Sequence, residues 1–282
     1  NQDGDSWGVY GQRYDKNGEK AGSEFQINTE TEYGQRYPAV TGLSDGGFVV
    51  TWQSNMQDGS SWGVYGQRYD KNGEKAGGEF QINTETEYGQ LDPAVTGLSD
   101  GGFVVTWHSG NQDGSGFGVY GQRYDKNGEK AGSEFPINTE TKKAQSISAV
   151  TGLSDGGFVV TWHSKNQDGD SWGVYGQRYD KNGKKAGGEF QINTETEYGQ
   201  LYPAVTGLSD GGFVVTWQSQ NQDGKSWGVY GKRYYYNDYL NNPAPQIGYI
   251  EVKLDKPFDG PQGLWVNYDI DGTAQQNEDY LN

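Results

Sequence analysis

The chain has 282 residues, a formal net charge of -16 and no cysteine. Such acidity excludes a phosphate-neutralising nucleic-acid surface, the missing thiols exclude a disulfide framework, and no apolar run reaches the length needed for membrane insertion. Mean hydropathy is -0.94, yet aromatics make up 14% of the residues, with 21 Tyr and 9 Trp; disordered chains are poor in such rings, so rings rather than Leu and Ile are expected to build the core.

Internal repetition dominates. Trp7, Trp62, Phe117, Trp172 and Trp227 recur every 55 residues, so residues 1–55, 56–110, 111–165 and 166–220 are full copies and 221–234 a partial one. The first and fourth copies differ only at Glu19/Lys184, Ser23/Gly188, Arg36/Leu201 and Asn55/Gln220.

In chain order, residues 8–14 (GVYGQRY) predict a strand that ends in an Asp-Lys-Asn-Gly turn, where Asn-Gly tolerates positive φ. Residues 24–28 (EFQIN) alternate as a second strand. A polar connection over 29–37 leads to a third strand at 38–43, opened by Pro38 as a strand edge permits. Ser44-Asp45-Gly46-Gly47 is another tight turn, and 48–52 (FVVTW) is apolar on both faces and so buried on both sides. Nothing shows a helical period. Four short antiparallel strands per unit predict a blade, and the chain an all-β, four-bladed β-propeller of 55-residue repeats. With 38–43 innermost, the blades are offset from the repeats, running from about 38 to 83 and onward. The fourth blade then lacks an outer strand, which residues 24–28 are expected to supply as a ring-closing strap, leaving 8–14 over. Residues 235–249, rich in Asn and Pro, read as a linker before a short C-terminal β segment at 250–282.

The wording of the repeat (GGFVVTW, QDGxSWGVYGQRYD, EFQINT) resembles tandem repeats of large secreted, calcium-dependent, haemolysin-type (RTX-like) bacterial adhesins. Residues 250–280 are similar to the opening of a Calx-β domain. The resemblance implies a secreted or cell-surface location and a piece of a larger surface protein. In the Calx-β family acidic residues at these positions often bind calcium, which makes Asp269, Asp271 and Asp279 candidate ligands.

The Asn-Gln-Asp-Gly loops, with Asp3, Asp58, Asp113, Asp168 and Asp223, place oxygen side chains at alternate positions like the first half of a calcium loop, or else form Asx turns. Asp15 and Asn17, two residues apart, offer the same choice between Ca2+ ligation and a hairpin turn. His108 and His163 stand where other copies have Gln53 and Gln218, and are read as polar residues beyond the buried strand. Trp7, Trp62, Trp172 and Trp227, with Phe117, and Tyr33, Tyr88 and Tyr198 are candidates for stacking on sugar faces, or for packing between blades. No nucleophile elbow, phosphate loop or His–carboxylate motif is present, and the acidic groups recur in each copy, whereas catalytic sites break symmetry. The expectation is a non-enzymatic, extracellular binding and adhesion module for a glycan or cell-surface ligand. The alternative is a structural subunit of a filament or surface layer, in which the strand at 8–14 or the segment 250–280 completes the next subunit head to tail.

Overall fold

In a computed structural model, residues 6–235 and the backbone of 249–250 are described. The described part is all β. It holds four four-stranded antiparallel sheets and one two-stranded sheet, with strands β1 (Tyr10–Gly11), β2 (Phe25–Gln26), β3 (Gln35–Gly42), β4 (Phe48–Asn55), β5 (Trp62–Tyr69), β6 (Phe80–Gln81), β7 (Gln90–Gly97), β8 (Phe103–Gly110), β9 (Phe117–Tyr124), β10 (Phe135–Pro136), β11 (Gln145–Gly152), β12 (Phe158–Lys165), β13 (Trp172–Tyr179), β14 (Phe190–Gln191), β15 (Gln200–Gly207), β16 (Phe213–Gln220), β17 (Trp227–Tyr234) and β18 (Tyr249–Ile250). Each four-stranded sheet runs inner strand, two-sided apolar strand, third strand and a two-residue outer strand, as β3-β4-β5-β6. The sheets are propeller blades, offset from the sequence repeat as expected.

The Ser-Asp-Gly-Gly turn explains the inner hairpin. Asp45 Oδ1 accepts from Gly47 N at 2.8 Å, Gly46 has φ of 86°, and a Cβ on Gly47 would stand 2.4 Å from Tyr69 O, so neither glycine can be replaced cheaply. An arginine of the third strand then reaches the turn aspartate, as Arg123 reaches Asp100 at 2.9 Å and Arg178 reaches Asp155.

Rings do build the core. The second-strand tryptophans Trp52, Trp107 and Trp162 are fully buried. Phe103, Trp107, Tyr120 and Tyr124 of one blade pack on Leu43, Val49, Val64 and Ile82 of the blade before it, and the next two blade junctions repeat the pattern. Removing one such tryptophan would cost about 3–5 kcal/mol.

Inner strands pack in succession from β3 through β7 and β11 to β15. Each junction is laced by Thr41 Oγ1 accepting from Gly97 N at 3.2 Å, and its counterparts from Gly152 N and Gly207 N at 3.1 Å. The approach is so close that a Cβ at Gly97 would lie 2.5 Å from Gly42 O. No packing of that kind joins β15 back to β3, and a Cβ at Gly42 would meet nothing within 4 Å. The expected closing strap is therefore corrected. Phe25–Gln26 pairs with Tyr10–Gly11 of its own two-stranded sheet, and Tyr249–Ile250 pairs with the third strand of the last blade. The strand at 8–14 is not spare; its core forms a half-blade whose Val9 and Ile27 cover Val50, Trp52, Tyr65 and Tyr69.

Candidate functional site

Connections between second and third strands, and between one blade and the next, emerge at the same end of every sheet. Apart from Glu19/Lys184, Ser23/Gly78 and Gln26/Pro136, the positions at which the full copies differ fall at this end or in the first half of the inner strand. Examples are Arg36/Leu91/Ser146/Leu201, Tyr37/Asp92/Ile147/Tyr202 and Gln53/His108/His163/Gln218. At the opposite end the Ser-Asp-Gly-Gly turns are the same in all copies.

The inner strands carry a register shift at this end, between Arg36 and Ala39, Leu91 and Ala94, Ser146 and Ala149, and Leu201 and Ala204. At the bulge stands a non-glycine residue with positive φ: Tyr37 (52°), Asp92 (49°), Ile147 (51°) and Tyr202 (54°). Such strain persists only where the surroundings enforce it, and bulges re-aim side chains beside sites. At Asp92 and Tyr202 a side chain of the preceding blade's second strand holds the bulge backbone. Gln53 Oε1 accepts from Asp92 N at 2.9 Å, and His163 Nδ1 accepts from Tyr202 N at 3.3 Å. Thr106 Oγ1 and Ser148 Oγ meet at 2.9 Å across the junction between them.

His108 and His163 therefore do more than follow a buried strand. Both are buried. His163 Nε2 lies 3.0 Å from Ser146 Oγ, and its ring packs edge-to-face with Trp172 and Tyr202, centroids 4.7 and 5.6 Å apart. Burial drives the His108 imidazole down to about 4 and the His163 imidazole to about 3, where the nearby His108 adds to the shift. His108 Nε2 lies 3.8 Å from Asp92 Oδ2, but at neutral pH the imidazole is uncharged and the contact is not an ion pair. Burial raises the Asp92 carboxyl, so the one carboxyl among the four bulge residues keeps its proton to a higher pH than an ordinary aspartate.

Of the predicted ring candidates, Trp7, Tyr33, Tyr88, Tyr198 and Trp227 are exposed and Trp62 and Trp172 half-buried, all at this end. The Arg36 guanidinium lies 5.3 Å from the Trp7 ring and 5.6 Å from that of Trp62. Tyr37 and Tyr202 are also exposed; sequence reading placed them in or beside a polar connection, and their variation between copies was the signal that could have found them.

The predicted calcium loops close on themselves. Asp15 Oδ1 accepts from Asn17 N at 2.8 Å and Glu19 N at 2.9 Å, backbone bonds that hold its carboxyl below the usual range, while the Asn17 amide donates to Asp15 Oδ2 at 3.4 Å. Asp58, Asp113 and Asp223 each accept from the N–H two residues on, and Asp58 and Asp168 take an amide from Gln81 and Gln191. Among the described residues no three His, Cys, Asp or Glu side chains converge as a metal site. Asp3, Asp269, Asp271 and Asp279 lie outside the described residues.

No family model matches the chain, and no curated protein does. Solved structures do. A protein of unknown function from Dyadobacter fermentans aligns with a TM-score of 0.51 at 13% identity, over 71% of this chain and 65% of its own. A mutant of the α-L-arabinofuranosidase arb93a of Fusarium graminearum, in complex with an iminosugar inhibitor, aligns with a TM-score of 0.51 at 13% identity, over 73% and 64%. The chain thus spans about two thirds of the length of each. These likenesses establish the fold. They also correct the expectation of a non-enzymatic adhesion or filament module, which rested on missing catalytic motifs and on symmetry between the copies. An arabinofuranosidase is built on this fold, and the inner strands here are not alike where they bulge.

Proposed function

We propose that the chain is a carbohydrate-active propeller, which lays a glycan across the variable end of its blades. The observation that supports this reading is the concentration of copy-to-copy differences at one end, which carries exposed rings (Tyr37, Tyr202, Trp7) and a half-buried acid, Asp92. Ring faces stack on the apolar faces of sugars, and amides and carboxyls fix hydroxyls. The likeness to an arabinofuranosidase makes a glycan the ligand class to try first. A secreted or surface location suits such a ligand and agrees with the adhesin-like wording of the repeats.

Cleavage is the second reading, and Asp92 favours it. Glycoside hydrolysis uses two carboxyls, one of which must hold a proton for the leaving oxygen; burial gives Asp92 that character. Plant and bacterial polysaccharides, arabinan first, are to be incubated with the whole chain, and bound and released sugars measured. Tyr37→Ala with Tyr202→Ala is expected to weaken binding about tenfold, the effect of losing one to two stacking contacts. Asp92→Asn is expected to abolish release while leaving binding within about twofold. Retention of no glycan by the unaltered chain defeats the proposal.

A further inference from the structure

The third blade departs from the others in one block. Residues 32–38, 87–93 and 197–203 share Glu-Tyr-Gly-Gln and a closing Pro, whereas residues 142–148 read Lys-Lys-Ala-Gln-Ser-Ile-Ser and keep only the glutamine. Most of the exchanged residues are absorbed by the fold. A Cβ on Gly34, Gly89 or Gly199 would face Ser6, Ser61 or Ser171 Oγ at 3.4 to 3.6 Å. In the third blade that pair is reversed: Ala144 takes the glycine's place and Gly116 the serine's, and a Cβ on Gly116 would lie 3.0 Å from Lys143 O. Ser146 Oγ meets His163 Nε2 at 3.0 Å, and Ser148 Oγ meets Thr106 Oγ1 at 2.9 Å. Ile147 is half-buried at the bulge.

The lysines are not absorbed. Lys142, Lys143 and Lys165, the last standing where other copies have Asn55, Gly110 and Gln220, are exposed. None of the three makes an ion pair among the described residues. They share one corner of the blade at its variable end. Lys165 N donates to Ala144 O at 2.9 Å, and the buried Gln145 holds the loop by donating from Nε2 to Lys142 O at 3.0 Å. Lys143 keeps the positive φ of Tyr88 and Tyr198, 68° against 62°, so backbone strain that aims a ring in those blades aims an ammonium here. The Lys165 ammonium lies 5.8 Å from the centroid of the Trp172 ring. Two carboxylates of the flanking loops are engaged by backbone groups: Glu140 accepts from Lys142 N at 2.7 Å, and Asp170 from Ser171 N and Tyr198 N.

We propose that this corner takes an anionic sugar, a uronic acid residue of the glycan, with its carboxylate on Lys142, Lys143 and Lys165 and its ring against Trp172. The inference rests on the glycan reading above and adds the class of sugar to it. In a chain of net charge -16 a polyanion is repelled everywhere except where cations are gathered, so the spot also sets the place at which an acidic chain can lie. Ammonium groups act as compact point charges and need no fixed fork geometry, which suits a carboxylate presented at the edge of a ring. Their hydrogen bonds to it are charge-assisted and, being exposed, are screened by salt.

Oligogalacturonate and its fully methyl-esterified form share rings and hydroxyls and differ in charge. Titrated into the whole chain at low salt, the free acid is expected to bind about tenfold more tightly than the ester, a preference that shrinks as salt is raised. Lys142→Gln with Lys143→Gln and Lys165→Gln is expected to remove the preference and to leave affinity for the ester within about twofold. Lys16→Gln with Lys71→Gln and Lys126→Gln alters three exposed lysines of the Asp-Lys-Asn-Gly turns, at the opposite end; it changes net charge equally and is expected to keep the preference. Equal binding of acid and ester overturns the inference and leaves the glycan reading standing. Binding of neither also overturns it, and the glycan reading falls too only if neutral glycans fail as well. A preference that survives the first triple variant, or is lost with the second, overturns the site. A sulfated glucan that gains as much over its unsulfated parent as the acid gains over its ester overturns the choice of a carboxylate.

Discussion

The interior blades and the last blade share a sequence but not an environment. Val119 and Val174 are fully buried, whereas Val229, at the same place in Trp-Gly-Val-Tyr-Gly, is 48% exposed. Thr106 is fully buried and Thr216 exposed; Gln53 is buried and Gln218 exposed. Each difference lies on the face that in other blades meets the following blade. Burial in a repeat array therefore belongs to a position in the row, not to a residue in the motif.

That contrast is tested most severely by charge. Val119→Asp buries an uncompensated carboxylate between blades and is expected to cost about 4 kcal/mol or more, enough to unfold a marginal chain. Val229→Asp is expected to stay within about 0.5 kcal/mol. Equal losses in denaturant melts would show that the two faces are not different.

A second test uses pH. His108 is neutral in the folded chain, its pKa lowered to about 4 by burial, while the unfolded imidazole takes its proton near 6.5. Below 6.5 the unfolded state binds the extra proton, so stability is full above that pH and falls as pH drops towards 4, by about 3 kcal/mol for this group. Asp92, whose carboxyl is raised, works in the opposite sense close to its own range and offsets a part. His108→Gln, the residue that Gln53 and Gln218 supply elsewhere, is expected to flatten the melting-temperature profile between pH 6.5 and 4. A profile of unchanged slope counts against a buried neutral His108.

The smallest expected effect concerns backbone approach. Gly97→Ala places a methyl 2.5 Å from Gly42 O and Gly42→Ala meets open space, so a loss of about 2 kcal/mol is expected for the first and about zero for the second. Matching melting curves for the two variants would mean that the inner strands are not pressed together.

Much of the fold was readable because each turn carries its own chemistry. Asn-Gly and Asp-Gly-Gly fixed the hairpins, and the two-sided apolar run at 48–52 marked the strand sandwiched between blades. The reading went astray where context, not local pattern, decides. Residues 24–28 alternate like any outer strand, and nothing in them says which third strand they pair with. Pro38 marked the inner strand's start, but the strand begins at Gln35, because the bulge at Tyr37 lets the chain pair on both sides of an irregularity. The candidate site was half legible. The rings were offered as sugar-stacking candidates with blade packing as the alternative; Asp92 and Tyr202 were not seen, because the backbone bonds at their positive-φ positions come from partners about forty residues away in sequence, Gln53 and His163. The argument from symmetry against catalysis failed at these same residues.

The threonine-to-glycine lacing of the inner strands gives the row a mechanical character. Every junction is the same joint, so adding or deleting 55 residues between existing blades creates no new kind of contact, and stability should grow by nearly equal increments per unit. An end blade has one joint and an interior blade two. Amide hydrogens should therefore exchange fastest in the last blade and slowest in the middle ones, and a pulling force applied at the termini should peel the row blade by blade, each rupture resembling the one before.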